Sequence, residues 1–329
     1  MEKFLKRCTI LYITLFCICI QSLFSQSCME YGLESITVGN ARRVVAVLAS
    51  DSLLGREAGT KGGGMAAEYI LSLMRETGLL VIEQPFMAVR NDNNWVTETD
   101  MDISGLVAAG KEVRELKNII AVLPGTGDEI VVIGAHYDHM GVDTTLVGDQ
   151  CYNGADDNAS GVSAVVQIAK AMGLSGCRPR RSVVFAFWDG EEKGLLGSRY
   201  FVKKHPFIEN IAAYMNFDMI GRGPIENPGH LSYLYTAANP LFGEWLRADA
   251  ARYEFCFTPL YKASENLLSG SDNAPFARVG IPIVWYHTEG HPDYHRPSDT
   301  ADKVDYPKLF DITRAAYLCA WRLANEVGY

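Results

Sequence analysis

From Asn118 onward, short runs that are apolar at almost every position alternate with stretches whose apolar residues recur every three or four places. The runs read "NIIAVL", "EIVVIGA", "RSVVFAFW", "IAAYMNF" and "GIPIVWYHT". The periodic stretches read "GVSAVVQIAKAMG", "GLLGSRYFVKKH", "PLFGEWLRADAARY" and, at the end, "YPKLFDITRAAYLCAWRLANEV". A strand with no polar side has to be covered on both faces, and parallel neighbours can be joined only through a crossover long enough to hold a helix. The pattern predicts an α/β chain: a mostly parallel, mixed central sheet with helices on both faces.

Upstream, "ARRVVAVLASDSLLGREAGTKGGGMAAEYILSLMRETGLL" reads as a helix, a glycine-rich loop and a second helix ending near Gly78. The triplet Gly62, Gly63, Gly64 follows no strand and lacks phosphate-loop spacing, so it reads as a flexible turn. "RNDNNWVTETDMD" reads as a loop or edge hairpin. With no internal repeat or low-complexity block, residues 26–329 are expected to form a single domain.

Residues 1–25 stand apart. A basic start (Lys3, Lys6, Arg7), an apolar stretch from Thr9 to Ile20 and the small residues Ser22 and Ser25 have the layout of a secretory signal peptide, too short for a comfortable membrane span. An exported chain is expected, periplasmic or extracellular, without a membrane span once the signal is removed. "SQSC" is a poor lipidation box, which argues against an anchor on Cys28. Beyond the signal the cysteines Cys28, Cys151, Cys177, Cys256 and Cys319 are odd in number and widely spaced, neither a disulfide framework nor a CxxC zinc set, although an oxidising compartment would allow one or two bridges. A net charge of −9 with no basic run after the signal argues against a nucleic-acid partner.

In open α/β sheets, ligands bind beyond the carboxyl ends of the strands, so the residue after each apolar run deserves attention. After "EIVVIGA" come His136 and Asp138; after "VVFAFW" come Asp189, Glu191 and Glu192; "MNF" is followed by Asp218; and His295 follows the last run. "NGADDNASG" adds Asp156 and Asp157 at a helix entrance. Carboxylates crowded onto one sheet edge repel, and burial without compensation costs several kcal/mol each. Lys193 and Arg296 are the basic residues nearby in sequence, too few to neutralise the set. A pair of divalent cations would supply the charge, and imidazole with carboxylate but no thiolate suits zinc, manganese or cobalt. Two cations sharing one carboxylate, with two further ligands each, require a set the size of His136, Asp157, Glu192, Asp218 and His295.

The adjacent pair Glu191 and Glu192 then makes chemical sense. On an extended segment neighbouring side chains point to opposite sides, so one can coordinate while the other exchanges a proton with a water whose pKa the cations have lowered.

In that order, "GAHYDH", "NGADDNASG", "WDGEEKGLLGS", "MNFDMIGR" and "DYHRPSDTADKVD" closely resemble the motifs of the co-catalytic two-zinc exopeptidases. That family includes secreted bacterial leucine aminopeptidases, aminopeptidase S and aminopeptidase Y, and has glutamate carboxypeptidase, transferrin receptor ectodomains and animal-type glutaminyl cyclases as relatives. "LASDSLLGREAGTKGG" also looks like its usual opening, so the resemblance runs from about Val44 to the C-terminus. It implies a three-layer zinc-peptidase fold, two Zn2+ bridged by Asp157, one completed by Glu192 and His295 and the other by His136 and Asp218. Glu191 would be the general base, and Asp138 would hydrogen-bond His136 and hold its tautomer. Asp156 and Asp189 have no ligand role in that pattern and read as loop-structuring. The implied activity is aminopeptidase action on peptides with a free N-terminus.

One departure touches the substrate cleft. Where many relatives read "SDH" before "PF", this chain has "SGSDNAPFARVGIP", with Asn273 in place of the histidine and Ser271 and Asp272 before it. Three alternatives share the fold: a glutaminyl cyclase, which uses one zinc; a carboxypeptidase, whose substrate clamp Arg222 could provide; and a non-catalytic receptor-type domain, which would have broken ligands.

Overall fold

A computed structural model describes residues 26–327; the segment read as a signal peptide lies outside them. Residues 26–35 are helical. The strands that follow are β1 (Leu80–Asn91), β2 (Asn94–Thr97), β3 (Val113–Leu123), β4 (Ile130–His136), β5 (Ser182–Trp188), β6 (Ile211–Phe217), β7 (His230–Thr236), β8 (Thr258–Ser264) and β9 (Ile283–His287). The α-helices are α1 (Val38–Leu48), α2 (Lys61–Arg75), α3 (Ser104–Ala108), α4 (Gly161–Leu174), α5 (Leu196–Lys204), α6 (Leu241–Tyr253), α7 (Asn273–Arg278) and α8 (Tyr306–Asn325).

All nine strands join one sheet in the order β2-β1-β3-β5-β4-β6-β9-β7-β8. Its centre, β5-β4-β6-β9, is parallel throughout, as the fully apolar runs require. The flanks turn antiparallel, through β1, β2 and β3 on one side and the β7–β9 pairing on the other. The apolar-run pattern does not reveal β1, β7 and β8: β1 and β8 are largely exposed or half-buried, and β7, though mostly buried, interleaves the polar residues His230, Ser232 and Thr236.

Why the central strands are apolar on both sides is visible in the core. Along β5, Val183, Phe185 and Phe187 enter one hydrophobic cluster, with α1, α2, α4 and α8, while Val184, Ala186 and Trp188 enter a second cluster on the opposite face, with Phe201 of α5 and Phe276 of α7. The pleat sends successive residues to opposite faces, so two covered faces demand an unbroken apolar run.

The triple glycine is helical rather than a flexible turn. It lies in the first turn of α2, whose N-cap is Thr60. A Cβ on Gly62 would stand 2.3 Å from the carbonyl oxygen of Leu53, and one on Gly63 would stand 2.6 Å from that of Glu57. The glycines therefore let the start of α2 press against the main chain of the tight turn Asp51–Arg56.

Cys28 and Cys177 form a disulfide that ties the N-terminal helical segment to the loop after α4. Cys151, Cys256 and Cys319 are free thiols.

Candidate metal centre

The parallel strands deliver their charged residues to one rim. His136 is the last residue of β4; Asp218 follows β6 directly; Glu191 and Glu192 lie in the turn after β5; His295 lies in the loop after β9. Asp157 comes from the irregular helical turn Ala155–Ser160 that leads into α4. Met219 and His295, both at the rim, hold left-handed backbone angles (φ 55° and 52°) that non-glycine residues seldom adopt.

Asp157 stands between two donor sets. Its Oδ1 lies 3.4 Å from His136 Nε2, which is also 3.4 Å from Asp218 Oδ1. Its Oδ2 lies 3.1 Å from His295 Nε2, which is 3.3 Å from Glu192 Oε2. Ligand atoms about 2.0–2.2 Å from a tetrahedral zinc stand roughly 3.3–3.6 Å from one another, so His136 and His295 each stand near ligand spacing from the two carboxylates beside them, while the compact grouping around Asp157 and Glu192 takes His139. The His–carboxylate chemistry fits the same metal.

His136 is turned for that role. Its Nδ1 lies 3.3 Å from the main-chain oxygen of Asp138, which can only accept, so Nδ1 carries a hydrogen and Nε2 is the nitrogen aimed at the carboxylates, the one available to a cation. The expected bond from His136 to the Asp138 carboxylate is replaced by this main-chain contact, and the carboxylate itself stands 3.8 Å away. Asp138 Oδ1 and Oδ2 accept instead from the backbone N–H groups of Glu191 and Glu192, at 3.0 and 3.3 Å. Those two residues consequently sit in a turn, not on an extended segment, closed by Gly194 N donating to Glu191 O at 2.8 Å. Asp138 thus shapes the glutamate pair more directly than the histidine.

Sequence reasoning missed His139. Its Nδ1 lies 2.8 Å from Glu192 Oε1 and 3.8 Å from Asp157 Oδ2, and its ring is wholly buried. The second histidine of "HYDH" was the available signal, but nothing in the spacing says that the chain bends after Asp138 to bring it back to the site.

The electrostatics show how strongly the cluster calls for positive charge. Burial opposes protonation of His136, yet the charges of Glu191, Asp218 and Asp157 outweigh it and hold its pKa well above the usual imidazole value. Burial likewise works against a charged His295, but its contacts with Asp157 and Glu192 lift it to about 10. Burial pushes Glu191 well above the usual carboxylate range; nearby His136 opposes this, and Asp272, Asp218 and Glu192 reinforce it. For Glu192 the burial effect is overturned by His139 and His295, which hold it far below that range. The environment therefore separates the two adjacent glutamates, raising the proton affinity of one carboxyl and lowering that of the other.

Around the cluster lies a cavity of about 270 Å³, lined also by Met219, Gly270, Trp285, His287, Gly290 and Tyr294. Asn273 is buried and does not line it; its amide donates to the carbonyls of Leu267 and Ser269 and so shapes the loop that brings Gly270 to the cavity wall. Asp272 accepts from Ser198 at 2.5 Å, and burial raises its carboxyl to about 7. Ser271 accepts from Asn216. Arg222 pairs with Asp293 at 2.7 Å and is absent from the cavity lining. Asp156 accepts from Gly221 N and Asp189 from Lys117 N, consistent with loop-structuring roles.

The chain is similar to known proteins in both sequence and fold. The sequence pattern described as "Peptidase family M28" matches residues 118–319. Leupeptin-inactivating enzyme 1 of Streptomyces exfoliatus is 34% identical over 177 residues, covering 50% of this chain and 34% of that protein. Among solved structures, the aminopeptidase of Aneurinibacillus sp. strain AM-1 superposes with a TM-score of 0.68 at 18% identity, covering 91% of this chain and 97% of that one. A glutaminyl cyclase of Porphyromonas gingivalis reaches 0.67 at 19% identity, over 87% and 98%. The chain spans less than two thirds of the length of the curated relatives it matches.

Proposed function

Because the chain belongs to peptidase family M28, we propose that it is an exported aminopeptidase that uses two zinc ions to release the N-terminal residue of peptides. The observation that carries this reading is the position of Asp157, whose two oxygens face separate His–carboxylate sets. His136 and Asp218 would hold one ion, Glu192 and His295 the other, with Asp157 between them. When bound, the ions would polarise the scissile carbonyl and bring the pKa of a water toward neutrality.

The chain's own residues account for the proton. Glu191 lines the cavity beside the donor sets without belonging to either close cluster, and its raised pKa suits it to take a proton from water and return it to the departing amine. Asp138, bonded to the amides of Glu191 and Glu192, keeps that carboxyl at the rim.

The cavity lining supports an aminopeptidase over a carboxypeptidase. The lining residues include no lysine or arginine among those described, so the cavity offers no clamp for a terminal carboxylate. Arg222, the candidate clamp, is engaged by Asp293. Met219, Trp285 and Tyr294 offer apolar surface to the substrate side chain. The glutaminyl cyclase likeness is one of fold, and two donor sets favour a hydrolase. A receptor-type domain fits poorly with a complete ligand set.

Export is supported by the Cys28–Cys177 bridge, since disulfides persist in oxidising compartments, and a Cys28 sulfur committed to it cannot carry a lipid. No helix among the described residues is long and apolar enough to cross a membrane.

The test is hydrolysis of aminoacyl chromogenic amides against N-blocked peptides, before and after chelation and after zinc is restored. Chelator-sensitive release from the free-amine substrates is expected. Cleavage confined to N-blocked peptides would overturn the aminopeptidase reading, and ammonia release from N-terminal glutamine would favour the cyclase.

A further inference from the structure

Behind the metal centre lies a wholly buried arginine with no ion-pair partner among the described residues. Arg56 is 1% exposed, and all of its N–H groups are spent on main-chain carbonyls. Nε donates to Tyr137 O at 2.9 Å; Nη1 to Leu48 O at 2.6 Å and Asn153 O at 2.5 Å; Nη2 to Gly154 O at 2.9 Å and Asp157 O at 3.4 Å. Its own carbonyl accepts from His139 N at 3.1 Å.

Four of these five acceptors belong to two segments of the site; the fifth, Leu48, ends α1. Tyr137 lies between His136 and Asp138, and Asn153, Gly154 and Asp157 belong to the loop that presents the bridging carboxylate. One guanidinium therefore grips the main chain on both sides of the His136–Asp157 contact.

The backbone is strained to put it there. Leu54, Gly55 and Arg56 are three successive residues with left-handed φ (50°, 63° and 48°), and a Cβ on Gly55 would stand 2.2 Å from the carbonyl oxygen of Gly141. Gly62 and Gly63 at the start of α2 hold the turn from the other side. A buried cation without a carboxylate partner costs several kcal/mol, as does such a backbone, and a neutral group or water could satisfy carbonyls alone. Beneath a cluster of acids, the cation has a second use: Asp157, Asp299 and Asp138 all feel its charge.

We propose that Arg56 is a positioning residue for the metal centre, which clamps the His136 and Asp157 segments at ligand spacing before a cation arrives and offsets part of the acidic cluster from behind. The proposal rests on the two-metal reading above. Its role is separable from ordinary fold stabilisation, because it acts on the metal-free geometry of two particular segments.

The experiment uses the full disulfide-bonded protein. In metal-stripped wild type, hydrogen exchange should leave the amides of His139, Ala155, Asp156 and Asp157 protected along with the central strands. Arg56→Lys and Arg56→Met should each weaken zinc binding, read by chelator competition well below the unfolding temperature, by about tenfold or more. The visible spectrum of the cobalt-loaded variants should also change. Arg56→Lys should lose less than Arg56→Met, since it keeps the charge and loses only the fork. Rapid exchange of those amides in metal-stripped wild type, with the strands still protected, would overturn the proposal even if neither variant folds. So would folded variants with unchanged zinc affinity and cobalt spectrum. Wild type that binds no zinc would instead overturn the metal reading, and this proposal with it.

Discussion

His295 Nε2 lies 3.1 Å from Asp157 Oδ2, so the loop after the last strand closes directly onto the loop that opens α4. Since His136 approaches the other oxygen of the same carboxylate, Asp157 is the one side chain that both donor sets share. Asp157→Ala should therefore release both ions, whereas His295→Ala should release mainly one. Zinc content per chain after gel filtration checks this; an Asp157→Ala protein that keeps about two ions would remove the bridge from the mechanism.

Glu191→Gln should keep the metals and lose the rate. The side chain lines the cavity but is absent from the close His–carboxylate groupings, so a neutral amide of the same shape leaves coordination intact while ending proton transfer. A fall of roughly 10²–10⁴-fold in kcat is expected. Zinc loss on this change, with zinc retained in Glu192→Gln, would show the two roles to be reversed.

Breaking the Cys28–Cys177 bridge should destabilise the fold without touching the chemistry. The bridge joins cysteines 149 positions apart and anchors the N-terminal helical segment, and its removal in Cys177→Ser should cost about 2–5 kcal/mol. Urea unfolding with and without reductant measures it. Coincident curves for wild type in both conditions would mean that the cysteines are not joined.

Acid should erase the contribution of Glu289. Burial alone would raise this carboxyl, but Lys262 at 2.8 Å and the hydroxyl of Ser232 hold it at about 2. The folded value lies below the ordinary value of about 4.3, so the stabilisation is present above that pH and is lost as pH falls through 4 toward 2. Glu289→Gln should melt below wild type at pH 6, with the gap closing under pH 4. The carboxylate is 41% exposed, so the gap should be modest and shrink with added salt. A gap that is constant from pH 6 to pH 2 would rule out the ionised carboxylate as its source.

Much of this protein follows from sequence because the signals concerned are local. An apolar run has to end somewhere, and in a parallel sheet it ends at the ligand-binding rim: His136, Glu191, Glu192 and Asp218 stand at such ends, His295 follows the last run, and "NGADDNASG" supplies Asp157 at the entrance of α4. The two-faced core is written in the same runs, since Val183 to Trp188 can be apolar throughout only if both faces are covered.

What the tertiary structure decided are partnerships between residues far apart in the chain, which leave no periodic trace. The Asp138 carboxylate accepts from the Glu191 and Glu192 amides because β4 and β5 run in parallel register, and it leaves His136 to a main-chain oxygen. His139 reaches Glu192 because the chain bends after Asp138. Gly62 and Gly63 are glycines within a helix because the neighbouring main chain comes too close for a side chain. Arg56 lies more than eighty residues before Tyr137 and about a hundred before Asp157, and only folding brings its guanidinium beneath both. Composition and period specify which side chains a rim must carry; the main-chain hydrogen bonds that hold them at ligand spacing exist only once the loops have met.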